Sequence, residues 1–76
     1  MYKDLIKKIP RNSKLAIFGN NETAKNIYEF VIKNRSDVEF KFFMSSEGDS
    51  SLLNNPVVCF LDWENYKKID TIIIAS

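Results

Sequence analysis

A chain of 76 residues, 45% hydrophobic and 13% aromatic with only 2 Gly and 2 Pro, has the apolar content of one globular domain and none of the bias of a disordered segment. Eleven basic against ten acidic residues leave a net charge of +1 with no basic stripe, which argues against nucleic acid and membrane surfaces as partners. With no histidine and a single cysteine, Cys/His and Ser/His catalytic sets, a disulfide framework and a zinc-type ligand spacing are all excluded.

Tyr2, Leu5, Ile6 and Ile9 recur at the spacing of one apolar helix face, and Pro10 ends the pattern, so residues 1–10 are read as a docked N-terminal helix. The N-terminus lacks an apolar signal core, and no run approaches the roughly 20 residues of a membrane span, so the expectation is a cytoplasmic protein. Leu15 to Phe18 is a compact apolar run ending at Gly19, the pattern of a strand buried on both faces of a parallel sheet. The helix that follows carries Ala24, Ile27, Tyr28, Val31 and Ile32 on one face. Asn20 or Asn21 can cap it, and it is expected to stop near Asn34. Glu29 and Lys33 add an i,i+4 pair.

Val38, Phe40, Phe42 and Met44 alternate with Glu39, Lys41 and Phe43, the period of a second strand with one more polar face. Ser45 to Ser51 reads as a polar loop. Pro56 opens a third strand, Val57 to Leu61, in which Cys59 is expected as a small buried thiol. Asp62 caps a short helix through Glu64, Tyr66 and Lys67, with Trp63 beside it as a core or rim residue. Thr71 to Ala75 is a fourth strand, apolar enough to be covered on both faces. Together these elements predict a small α/β fold: a mostly parallel, four-stranded Rossmann-like sheet in the order 3-2-1-4 with flanking helices, a half or truncated Rossmann unit. Residues 14–76 form its βαβ core, with a right-handed crossover between the first two strands.

The segment carrying chemistry is Gly19-Asn20-Asn21-Glu22-Thr23-Ala24, where a strand turns into a helix and free backbone N–H groups face an incoming anion such as a phosphate. Against G-x-G-x-x-G/A, Gly19 and Ala24 match, and Asn21 stands where a glycine lets a pyrophosphate approach the backbone. Two readings of the turn stand side by side: a working dinucleotide site, and a vestigial or structural turn.

The run Leu15 to Gly19, Ala24 within its amphipathic helix, the strand Val38 to Met44, Asn55-Pro56-Val57-Val58 and Ile69 to Ala75 resemble the small Rossmann-like domain of bacterial sugar-modifying proteins. That group includes the nucleotide-sugar-binding N-terminal domains of sugar O- and N-acetyltransferases and the cofactor-binding part of polysaccharide-biosynthesis dehydratases and epimerases. The resemblance covers residues 14–76 and implies that Gly19, Asn20 and Asn21 face the phosphates of NAD(P) or a UDP-sugar, with Ala24 allowing close helix packing. Ser45 and Ser46 occupy the end of the second strand, where such proteins often place an acidic pair for ribose or sugar, and Glu47 and Asp49 follow in the loop. Val57 to Asp62 is also similar to the phosphoacceptor strand of response-regulator receiver domains. There an acidic pair holds magnesium after the first strand, and Gly19-Asn20-Asn21 replaces it here, so Asp62 is read as a helix cap.

The expected function is a nucleotide- or nucleotide-sugar-binding-like module, non-catalytic by itself and associated with bacterial surface-sugar biosynthesis. The alternative is a structural or oligomerisation domain with a vestigial site. Tyr28 with Lys25, and the adjacent Tyr66 and Lys67, are wrongly placed for a proton-transfer pair. No metal site is expected. Because Ser76 follows the fourth strand at once, that strand's edge predicts a homodimer, or docking to a catalytic domain.

Overall fold

The chain runs α1 (Tyr2–Lys8), β1 (Lys14–Phe18), α2 (Glu22–Asn34), β2 (Glu39–Ser45), β3 (Ser50–Leu52), β4 (Asn55–Cys59), α3 (Trp63–Tyr66) and β5 (Thr71–Ile74). The structure, a computed structural model, describes residues 2–46 and 50–75. Glu47 and Asp49, the loop acids expected near a sugar, lie outside the described residues, as does Ser76. One five-stranded sheet has the order β3-β4-β2-β1-β5. β1 pairs parallel with β2 and β5, and β2 pairs parallel with β4, while β3 is antiparallel to β4. The architecture is therefore α/β with a mixed, mostly parallel sheet, and it has five strands where the sequence predicts four.

The additional strand has a local cause. Leu52 pairs with Asn55, so β3 and β4 form a hairpin through Leu53 and Asn54, whose φ angles are +49° and +63°. Positive φ at both central residues is the geometry of a type I′ turn, which sequences announce with Asn-Gly or Asp-Gly. Leu53-Asn54 gives no such signal, because a leucine in the left-handed region costs about 1 kcal/mol and is rarely placed there. The Asn55 side-chain amide donates to the Leu53 carbonyl at 2.9 Å and helps to hold the turn. The predicted loop Ser45 to Ser51 thus loses Ser45 to β2 and Ser50 and Ser51 to β3. The third predicted strand also shifts, from 57–61 to Asn55–Cys59, with Pro56 inside it. Pairing with β2 begins only at Val57, so the missing N–H of Pro56 leaves that ladder intact.

Two apolar layers sandwich the sheet. On the side of the long helix, Leu15, Ile17, Phe43, Val57 and Ile73 pack with Ala24, Ile27 and Val31 of α2, and with Leu5, Ile6 and Ile9 from α1 and its exit. On the other side Ala16, Phe42 and Met44 are covered by Phe18, Val58, Phe60, Tyr66 and Ile69. Leu15, Ala16 and Ile17 are fully buried, as expected of an interior strand.

β2 departs from its predicted alternation. Leu15 pairs with Phe40 but Ala16 with Phe42, so Lys41 is the extra residue of a β-bulge. Val38 and Phe40 face the α2 side before the bulge and Phe43 faces it afterwards, which releases Phe42 and Met44 to the opposite face. A strand read as half polar is apolar on both faces beyond Lys41.

β5 departs in the other direction. Ile73 and Ala75 are buried, whereas Ile72 is 39% exposed and Ile74 72% exposed, because the short helix α3 leaves their face uncovered. Trp63 is 80% exposed and touches the Tyr66 ring at its side, so it is neither core nor rim within the chain. Cys59 is half-buried at the end of β4, its thiol directed at the Ser46 carbonyl at 3.8 Å. On α2 the ion pair is Glu22 with Lys25 at 3.7 Å, in place of the expected Glu29 with Lys33. Among the described residues no helix is long and apolar enough to cross a membrane.

A polar clamp joins α1 to the start of β2. Arg35 grips Asp37 with both carboxylate oxygens engaged, Nε to Oδ1 and Nη2 to Oδ2, each at 2.9 Å. The same guanidinium donates to the Ile6 and Pro10 carbonyls, and the Asn12 N–H donates to Asp37 Oδ2 at 2.9 Å. The Arg35 bonds first, and the Asn12 N–H second, hold the Asp37 carboxyl well below the usual carboxylate range. A carboxylate depressed on folding stabilises the fold above its unfolded pKa of about 4 and loses that contribution as pH falls further. Asp37→Asn is therefore expected to lower the urea midpoint clearly near pH 7 and by less near pH 2.5, which lies below the unfolded value but above the folded one. An equal loss at both pH values would show that the clamp's charge does not stabilise the fold.

Candidate functional site

β1, β2, β4 and β5 all point their carboxyl ends to the same edge of the sheet. The six residues singled out in the sequence fall on that edge: Gly19, Asn20, Asn21 and Ala24 after β1, and Ser45 and Ser46 at the end of β2. The Gly19 N–H donates to the Met44 carbonyl at 2.8 Å, which sets the turn directly beside Ser45. Both halves of the expected site are brought together. The sheet also changes direction here, since β2 and β4 lie to one side of β1 and β5 to the other, the position at which open parallel sheets leave a crevice for ligands.

At the turn the chain approaches itself closely, while Asn20 and Asn21 stay exposed. Gly19 has φ +134°, and a Cβ on it would lie 2.6 Å from the Ala75 carbonyl oxygen. This glycine serves a close approach of two backbones, β1's exit and β5's end, sealed by the Ala75 N–H donating to the Phe18 carbonyl at 2.9 Å. Asn21, in extended conformation, is the N-cap of α2. Its side-chain oxygen accepts the Ala24 N–H at 2.9 Å and its amide donates to the Ala75 carbonyl at 3.5 Å. One of the first-turn donors that would receive an anion is thereby spent on Asn21, and the side chain bridges the two strand ends.

The remaining residues have distinct surroundings. Ala24 is fully buried, its Cβ 3.6 Å from where a Gly19 Cβ would stand, so the small side chain permits the close packing of helix on turn. Asn20 is exposed. Ser45 is half-buried opposite Cys59, and its carbonyl accepts the Phe60 N–H at 3.0 Å. Ser46 is exposed, with its carbonyl facing the Cys59 thiol. Asp62 accepts the Glu64 N–H at 3.1 Å as the cap of α3. Among the described residues no group of three or more Cys, Asp or Glu is arranged to hold a metal ion.

Sequence reasoning missed Ala75, the residue whose carbonyl lies against the turn. It is 56 positions from Gly19 and apolar, and nothing in its type signals that its carbonyl lies against the turn. It also missed the clamp, although the Arg35-x-Asp37 spacing could have marked it. A cavity of about 510 Å³ lies beside that clamp, lined by Lys7, Ile9, Arg11, Asn12, Arg35 and Asp37. It sits at the amino-terminal end of the sheet, away from the turn, with its carboxylate already committed to Arg35.

Comparison with protein-family models, with curated proteins and with solved structures gives no match to this chain.

Proposed function

We propose that this chain is a non-catalytic, Rossmann-like module of the nucleotide- or nucleotide-sugar-binding type whose phosphate turn is held shut by its own cap. The observation that carries this reading is the turn from β1 through Gly19 into α2, at the carboxyl edge of parallel strands and at the point where strand order reverses. A role in bacterial surface-sugar biosynthesis rests on the resemblance in layout over residues 14–76. The ligand class is NAD(P) or a UDP-sugar, with Gly19, Asn20 and the first turn of α2 facing its phosphates and Ser45 and Ser46 facing its sugar. Binding by the wild-type chain is weak, because a diphosphate must displace the Asn21 side chain from the Ala24 N–H before it reaches the helix end.

Asn21→Gly tests this directly. Exchange of an N-cap asparagine for glycine costs only a few tenths of a kcal/mol, so the variant folds while the turn is opened. Calorimetric titration with NAD, NADP and a UDP-sugar is expected to show at most millimolar affinity for the wild type. At least one ligand should bind Asn21→Gly about tenfold more tightly or better, and Asn21→Asp more weakly still, through repulsion at the phosphates. A folded Asn21→Gly variant with no gain for any of the three overturns the nucleotide reading and leaves the turn purely structural. Micromolar binding by the wild type overturns the closed turn.

A further inference from the structure

The clamp at the amino-terminal end of the sheet also shapes a cavity. Arg35 commits four of its five N–H groups, two to Asp37 and one each to the Ile6 and Pro10 carbonyls. The Asn12 N–H on Asp37, and the Ser13 hydroxyl on the Pro10 carbonyl at 2.6 Å, tie down the intervening turn, in which Asn12 holds φ +59°. That turn and the last turn of α1 bring Arg11 and Lys7 into the lining of the 510 Å³ cavity, beside Arg35 and Asp37. Asp37 is the one acid in this lining and is already paired with Arg35, whereas the side chains of Lys7 and Arg11 have no ion-pair partner among the described residues.

We infer that this cavity is a binding site for a phosphate group, with Lys7 and Arg11 as its ligands and the Arg35–Asp37 clamp as its rigid frame. A lone lysine on a helix is a solvated charge, but here two cations from separate segments line one concavity whose own acid is already paired. A doubly charged anion neutralises both at once, which a monocarboxylate does not. The Arg11 guanidinium offers paired donors that match two phosphate oxygens, and Lys7 adds a point charge. Hydrogen bonds through Asn12, Ser13 and Arg35 order the Arg11 turn before any ligand arrives, which lowers the cost of binding. The volume falls in the range of small-molecule pockets, roughly 300–1,000 Å³, and so has room for the alcohol portion of a small phosphate monoester as well as for the free ion. The site lies at the opposite end of the strands from Gly19 to Asn21, and the inference is independent of whether that turn takes a nucleotide.

Titration of the isotope-labelled chain with sodium phosphate, at low salt and slightly alkaline pH, is expected to give saturable NMR shifts of the Lys7, Ile9, Arg11 and Asn12 amides at millimolar concentration, with Gly19 to Ala24 unmoved. Arg11→Gln should weaken binding about tenfold and Lys7→Gln at least about threefold. Both side chains are exposed, so both variants should keep the wild-type circular dichroism. Lys8→Gln is the control: Lys8 shares the last turn of α1 and the same charge, but it lines the groove beside β5 instead. Its loss should change affinity by less than about twofold. Glycerol phosphate binding more tightly than inorganic phosphate assigns the site to a monoester, and the reverse order assigns it to the free ion. No saturation below about 20 mM phosphate, shifts centred on Gly19 to Ala24, acetate binding as tightly as phosphate, or equal losses in Lys8→Gln and Arg11→Gln would each overturn the site.

Discussion

Phe43→Ala is expected to bring this protein to the edge of unfolding at room temperature. Phe43 is fully buried on β2, flanked by β1 and β4, and its ring meets Tyr28 at 5.5 Å and Phe40 at 4.8 Å. Removing a buried phenylalanine costs about 3–5 kcal/mol, the lost transfer energy plus the cavity left behind. Domains are stable by only about 5–15 kcal/mol, and short chains bury the smallest share of their surface and sit at the low end. Trp63→Ala provides the contrast: a larger side chain that is 80% exposed, whose loss should change stability by no more than about 0.5 kcal/mol. Urea unfolding followed by circular dichroism measures both. A Phe43→Ala loss below about 1 kcal/mol would mean that the aromatic cluster of Tyr28, Phe40 and Phe43 is not the core of the fold.

Gly19→Ala should cost almost as much with a single added carbon. Its backbone at φ +134° lies where residues with a Cβ are strained by about 1–3 kcal/mol, and the new Cβ would stand 2.6 Å from the Ala75 oxygen. That neighbour is backbone held by the Ala75 N–H to Phe18 bond, so relief requires β5 to move away from β1. A total loss of about 3 kcal/mol or more is expected from strain and overpacking combined. Asn21→Gly, two residues away, should cost only a few tenths of a kcal/mol. The pair thus separates a glycine required by packing from a cap that can be removed, and urea midpoints of the two variants read the difference. Equal and small losses would show that β5's end yields freely and that the Ala75 carbonyl is not held against the turn.

Local signals in the sequence determined much of this protein. The apolar run Leu15 to Phe18, the 3.6-residue face of Ala24, Ile27, Tyr28 and Val31, the stop at Asn34, a cap at Asn20 or Asn21 and another at Asp62, and the terminal Thr-Ile-Ile-Ile are all short-range patterns, and short-range physics sets them, whereas the structure selects Asn21 as the cap and leaves Ile32 exposed at the margin of the face. They also located Gly19 to Ala24 and Ser45-Ser46, and strand direction alone carried both to one edge. Tertiary structure decided the rest, through contacts between residues far apart in the chain. The bulge at Lys41 appears only once β2 must match β1 and turn Phe43 and Met44 to opposite layers. The β3–β4 hairpin forms through Leu53 and Asn54 despite the backbone cost of that turn, and the ladder from Ser50 to Val57 accompanies it. How closely the turn after β1 is approached depends on the carbonyl of Ala75, and no local pattern at Gly19 carries information about a backbone atom brought there by the fold.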